Sequence, residues 1–135
     1  MFTDTITYED FNGETQTMDV YFNISKMEAF TMDPDGPDGY AKKLQDVADS
    51  NNMITIIDAF RDIVKKAYGV KSEDGKRFIK SEEAFREFEE SPAYDEFMMK
   101  LVGDEGYVLD FIFGAFPYVD GVNKENIIKQ MESGE

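Results

Sequence analysis

Two runs of alternating side chains, residues 2–10 and 14–23, flank Asn12-Gly13, and this alternation constrains the fold more than any other stretch of the chain. Asn-Gly between two such runs is a strong hairpin signal, because both residues reach the positive φ that tight turns demand. The parity of the apolar positions then selects the loop. In a two-residue loop facing residues sum to 25, which sets Ile6 against Asp19 and Thr5 against Val20 and scrambles the two faces. A three-residue loop of Phe11, Asn12 and Gly13 makes pairs sum to 24, so that Phe2 meets Phe22, Ile6 meets Met18, Tyr8 meets Gln16 and Asp4 meets Val20. One face becomes largely apolar, and a slip of one residue would turn every side chain over. The sequence therefore predicts a type I turn followed by a left-handed Gly13 that forms a bulge.

Helical spacing and capping signals occupy most of the remainder. Ser25 with Glu28 three residues on is a capping-box pattern that opens a short helix to about Thr31. Met32–Gly39, with two Pro, two Gly and three Asp, reads as a loop. A helix over about 39–49 carries Tyr40, Leu44, Val47 and Ala48 on one stripe. From Met53 to Tyr68 apolar residues at 53, 56, 57, 60, 63, 64 and 67 keep helical spacing, with Asn52 as cap and Gly69 as stop. Val70–Lys80 is a polar connection in which Asp74-Gly75 suits a small hairpin turn. Ser81 opens a helix with Phe85 and Phe88 inward. Ser91-Pro92 opens another, with Tyr94, Phe97, Met98 and Leu101 spaced i, i+3, i+4, i+7 before Gly103 ends it. Residues 104–116 form a last strong helix that is apolar nearly all round, interrupted by Asp110. Such a helix is either wholly buried or covered by a partner. These readings give an α+β fold, an N-terminal β-hairpin packed on a mostly α-helical bundle. One domain is expected over 1–117 (hairpin 2–23, helical part 25–116), with a partly helical tail over 118–135 whose last turns fall at Asn123–Met131.

Composition narrows the chemistry. With no Cys and no His the chain has no thiol nucleophile, disulfide, imidazole base or ordinary zinc site. There is no Walker loop, no GxGxxG and no nucleophile elbow. Asp33, Asp35 and Asp38 suggest calcium, but an EF-hand loop opening at Asp33 needs an oxygen ligand, Gly and Glu where Pro37, Asp38 and Leu44 stand. Paired carboxylates such as Glu82-Glu83 and Glu89-Glu90 fall at adjacent helix positions and point outward, without the burial that raises a catalytic carboxyl. No catalytic, cofactor or metal site is expected, and the chain is not read as an enzyme. The formal charge of −15, from 29 acids and 14 bases, argues against binding nucleic acid or an anionic membrane. No apolar run approaches a membrane span and no signal-peptide pattern opens the chain, so a cytosolic setting is expected. Seven bases lie between Arg61 and Lys80, and read as solvated charges pairing with Asp58, Asp62, Glu73 and Asp74.

Two stretches carry a family resemblance. Ile6–Phe30 (ITYEDFNGETQTMDVYFNISKMEAF) resembles the opening of the tail assembly chaperones of long-tailed phages of Gram-positive hosts: strand, Asn-Gly turn, strand ending in Phe-Asn, then helix. Ala67-Tyr68-Gly69, the run Lys71–Ser81, Phe88, Ala93-Tyr94 and Phe97-Met98 resemble the core of that family, and Phe116-Pro117 resembles its close. The departures are the Pro-rich acidic loop at 32–39 and Ser91-Pro92 before Ala-Tyr. The resemblance implies a non-enzymatic protein of the host cytoplasm that binds the long, helical tape measure protein and keeps it soluble while tail-tube subunits polymerise around it. A holdase needs exposed apolar surface on a charged body, and the 104–116 helix is the expected source. Leu109, Phe111, Phe113 and Phe116 are the expected partner contacts with Tyr118 as rim, against the alternative that they close the domain's own core. Self-association of the chain would bury the same surface. A second reading from another class is an acidic inhibitor that mimics nucleic acid, using Glu82, Glu83, Glu87, Glu89, Glu90 and Asp95.

Overall fold

The computed structural model describes residues 1–116, apart from the side chains at 37, 38, 40, 41, 44, 45 and 48. Tyr118, the expected helix at 123–131, and the side chains of Tyr40, Leu44 and Ala48 lie outside the described residues. In chain order the elements are β1 (Phe2–Glu9), β2 (Thr15–Phe22), α1 (Lys26–Met32), α2 (Gly36–Asp49), α3 (Met53–Ala67), β3 (Tyr68–Lys71), β4 (Phe78–Ile79), α4 (Glu82–Glu89), α5 (Pro92–Gly103) and α6 (Glu105–Ala115). The fold is α+β, as expected.

The hairpin has the predicted register. Phe2 faces Phe22, Asp4 faces Val20, Ile6 faces Met18 and Tyr8 faces Gln16. The Gly13 N–H donates to the Asp10 carbonyl at 3.0 Å, the Asp10 N–H donates to the Glu14 carbonyl at 2.8 Å, and Gly13 stands at φ 82°. The Asp10 carboxylate holds the turn from within, accepting the N–H groups of Asn12 and Glu14, each at 2.9 Å, and the Gln16 side-chain amide at 3.0 Å.

Three local expectations are corrected. The sheet does not stop at two strands: its order is β1-β2-β3-β4, all antiparallel. The helix α3 ends before Gly69 and Tyr68 leaves it directly as strand, so β3 joins β2, while Asp74-Gly75 turns the chain back as expected with Gly75 at φ 74°. Gly69 sits beneath β4, where a Cβ would lie 2.6 Å from the Phe78 ring. The expected loop at 32–39 is shorter, because α2 already begins at Gly36. Pro37 falls in its first turn, where a missing N–H costs nothing and the fixed φ suits a helix. Ser91 precedes Pro92 as predicted but does not cap with its side chain: its hydroxyl donates to the Phe88 carbonyl at 2.7 Å. The Ser25–Glu28 capping box and the Asn52 and Ser81 caps are present.

Phe22 is the centre of the core. Its ring stacks on Phe97 at 4.7 Å and 10°, and meets Phe111 at 5.3 Å, Tyr68 at 5.7 Å, and Phe2 and Phe88 each at 6.2 Å. One side chain thereby joins β1, β3, α4, α5 and α6. Just past it, two consecutive backbone groups tie down helix ends: the Asn23 N–H donates to the Ala67 carbonyl at 2.9 Å, and the Ile24 N–H to the Ala115 carbonyl at 2.8 Å. Carbonyls at helix C-termini lack intrahelical donors, so these bonds fix α3 and α6 to the end of β2. Phe22→Ala is expected to lower the unfolding free energy by about 3–5 kcal/mol, read as a shift of the urea midpoint with an unchanged slope.

Candidate functional site

The strongest apolar helix of the sequence, α6, is seated on the sheet. Val108, Phe111, Ile112, Ala115 and Phe116 are buried. Phe111 is fully covered, with Phe2 at 5.4 Å, Phe22 at 5.3 Å and Phe97 at 5.8 Å, and Phe116 is 2% exposed. Of the residues expected as partner contacts, these two belong to the domain's own core. Leu109 and Phe113, one turn apart on α6, are half-buried, and Phe113 packs against that core.

The seating is close. A Cβ on Gly114 would stand 2.9 Å from the Phe2 Cβ and 3.1 Å from its Cα, so this helix approaches β1 more nearly than any other residue would permit. A polar tie flanks the contact. The Tyr107 hydroxyl donates to the Asp4 carboxylate at 2.6 Å, Lys100 lies 3.5 Å from the same oxygen, and its ammonium stands 5.1 Å from the centre of the Tyr107 ring. Burial alone would raise the Asp4 carboxyl. The Tyr107 hydroxyl, the Thr5 N–H and Lys100 outweigh it and hold the group below its ordinary 3.8. Burial, then the hydrogen bond to Asp4, pushes the Tyr107 phenol up, so it remains a donor.

Exposed apolar surface lies elsewhere. The stripe of α3 is buried only in its second half, at Ile63, Val64 and Ala67. In the first half Met53 is 57% and Ile54 73% exposed, and Ile57 is also exposed. Arg61 marks the boundary, pairing with Glu89 of α4 at 2.8 Å. On α1, Met27 and Phe30 are exposed as well. Sequence periodicity marked the α3 stripe but not its burial, since spacing does not tell which half a neighbour covers. One signal was present: Ile54 lies off the stripe, so the apolar face of the first two turns is wider than a single buried stripe requires.

The charged residues divide. Of the bases between Arg61 and Lys80, Lys66 pairs with Asp62 at 2.9 Å as expected, but Arg61 reaches Glu89 and Lys80 reaches Glu28 at 2.6 Å. Glu82, Glu83, Glu87, Glu90 and Asp95 are exposed, whereas Glu89 is held by Arg61. Asp33, from the loop considered for calcium, is buried; it pairs with Lys43 at 2.8 Å and accepts the Asp35 N–H at 2.8 Å. The Lys43 bond, then the Asp35 N–H, lowers its carboxyl. Among the described residues no group of three His, Cys, Asp or Glu is placed to hold a metal, and no helix is long and apolar enough to cross a membrane.

A family model described as phage tail assembly chaperone matches residues 1–127. No curated protein and no solved structure matches the chain.

Two variants test the seating of α6. Gly114→Ala gains helix propensity of about 1 kcal/mol, yet its methyl collides with β1 backbone, so chemical denaturation should show a net loss of about 1–3 kcal/mol. Asp4→Asn should cost on the order of 1 kcal/mol at pH 7. Because the folded Asp4 carboxyl is depressed, its contribution is complete above 3.8 and is lost as pH falls through the folded value. The stability gap between wild type and Asp4→Asn should therefore close below about pH 4 in acid-side denaturation curves.

Proposed function

The chain belongs to the phage tail assembly chaperone family, and we propose that it serves as a non-enzymatic holdase in the host cytoplasm, binding the tape measure protein and keeping it soluble while the tail tube assembles. The observation that carries the reading is the uncovered first half of α3, with Met53, Ile54 and Ile57 exposed on a chain of net charge −15. An apolar strip can receive the apolar face of a client helix, while the surrounding charge keeps the complex dispersed. On α6 the contact falls to the half-buried Leu109 and Phe113. Phe111 and Phe116 support that helix from beneath. The tail-tube protein is the natural second partner, arriving as the client is handed on.

Apolar capture and charge mimicry differ in their response to salt. At about 1 M salt the screening length falls to roughly 3 Å, which removes exposed charge attraction and leaves apolar burial intact. Co-expression with the tape measure protein of the same phage should give soluble co-purification that survives this wash. Ile54→Lys with Ile57→Lys removes two exposed side chains, each contributing roughly 1.5–3 kcal/mol when buried. The double variant should retain the wild-type melting temperature and lose at least ten-fold of the recovered client. Full recovery by the folded variant would place the client elsewhere, and loss of wild-type binding in salt would favour the acidic-mimic reading.

A further inference from the structure

A concave feature lies at the opposite end of α3 from the exposed strip, about 16 Å along the helix from Ile54 at 1.5 Å per residue. Its cavity volume is about 230 Å³, and its lining includes Lys65, Lys66, Tyr68, Lys80, Glu82 and Phe85. The rings of Tyr68 and Phe85 meet edge to face at 6.0 Å. Lys66 is paired with Asp62 and Lys80 with Glu28, whereas Lys65 is exposed and has no ion-pair partner among the described residues.

Tyr68 is the unusual member. It is only 6% exposed, yet its hydroxyl has no hydrogen-bond partner among the described residues. No buried side-chain nitrogen or oxygen among the described residues lacks a partner, so this hydroxyl is not sealed in, and Tyr68 lines the pocket. A tyrosine hydroxyl at the accessible edge of a buried ring can take an acceptor from outside the chain. Burial, and secondarily Glu87, raises the phenol, so it stays protonated and able to donate.

We propose that this pocket receives the carboxylate of an acidic side chain from a protein partner, with the Tyr68 hydroxyl as donor and Lys65 as counter-ion. The methylene stem of a glutamate lies against the Tyr68 and Phe85 rings while its head meets the hydroxyl and the ammonium. Glu82 on the lining and Glu87, whose charge acts on the Tyr68 phenol, set the charge limit: a singly charged carboxylate is accommodated, and a phosphate dianion is opposed. The site is independent of the apolar surface on α3 and does not rest on the client reading.

The test uses the full chain and N-acetyl-glutamate N-methylamide as probe, with its glutamine analogue as the neutral control. NMR shifts of the Tyr68 ring and the Lys65 ammonium should saturate with a Kd on the order of 1–10 mM, and the glutamine analogue should leave them unmoved. Tyr68→Phe keeps the ring and removes the donor, and it should weaken binding about ten-fold, the effect of one charge-assisted hydrogen bond. Lys65→Met, at an exposed position, should weaken it by a similar factor without touching the core. Equal shifts from the glutamine analogue, unchanged affinity in both variants, or no saturation by about 100 mM would overturn the assignment. Inorganic phosphate binding as tightly, with the same dependence on Tyr68, would make this a general anion site and overturn the carboxylate assignment.

Discussion

The Phe22–Phe97 stack is the contact through which the sheet and the helices become one body. Phe22 is the last residue of β2, and its ring touches aromatic side chains from five other elements. Offset and edge-to-face ring pairs add roughly 0.5–1.5 kcal/mol each beyond area burial, so a hub with several such neighbours concentrates stability in one position. The backbone bonds from Asn23 and Ile24 act at the same place, because the strand that delivers the ring also delivers the donors for the ends of α3 and α6. The first half of α3 lies outside this hub, with Met53, Ile54 and Ile57 exposed.

The acidity is not all solvated excess. Glu28 closes the α1 capping box and pairs with Lys80, Asp10 organises the hairpin turn, Asp33 ties the end of α1 to Lys43 of α2, and Glu89 anchors Arg61. Burial would raise the Glu28 carboxyl, but Lys80 and the Ser25 N–H lower it instead. These carboxylates act as local ties within turns and between neighbouring elements, while Glu82, Glu83, Glu87, Glu90 and Asp95 remain exposed and supply the charged envelope.

Local chemistry was legible in the sequence wherever one physical rule acted alone. Parity fixed the register from Phe2 to Phe22, and the Ser25, Asn52 and Ser81 caps were readable from spacing. Where a second element decided the outcome, the sequence was mute. Tyr68–Lys71 becomes strand because β2 offers Tyr21 and Phe22 as partners, a pairing across more than forty positions that no local pattern encodes. Residues 36–39 join α2 although their composition suits a loop. The sequence left the α6 residues open between contact and core; Phe111 falls to the core because Phe2 and Phe22 present rings to it, and Phe116 is buried as well. The exposed half of α3 was hidden by its own regularity, since the same spacing serves a buried and an uncovered turn.

The close seating of Gly114 against Phe2 has a consequence for how the chain is made. The first strand packs against the last described helix, and 112 positions separate the two residues (114 − 2). At roughly 5–20 residues per second, a ribosome needs about 6–22 s to produce Gly114 after Phe2. For that interval the apolar face of the finished hairpin, with Ile6 and Phe22 on it, lacks the cover that α6 provides. The nascent protein thus spends its synthesis with an apolar face uncovered, and its own maturation depends on how long its opening strand must wait.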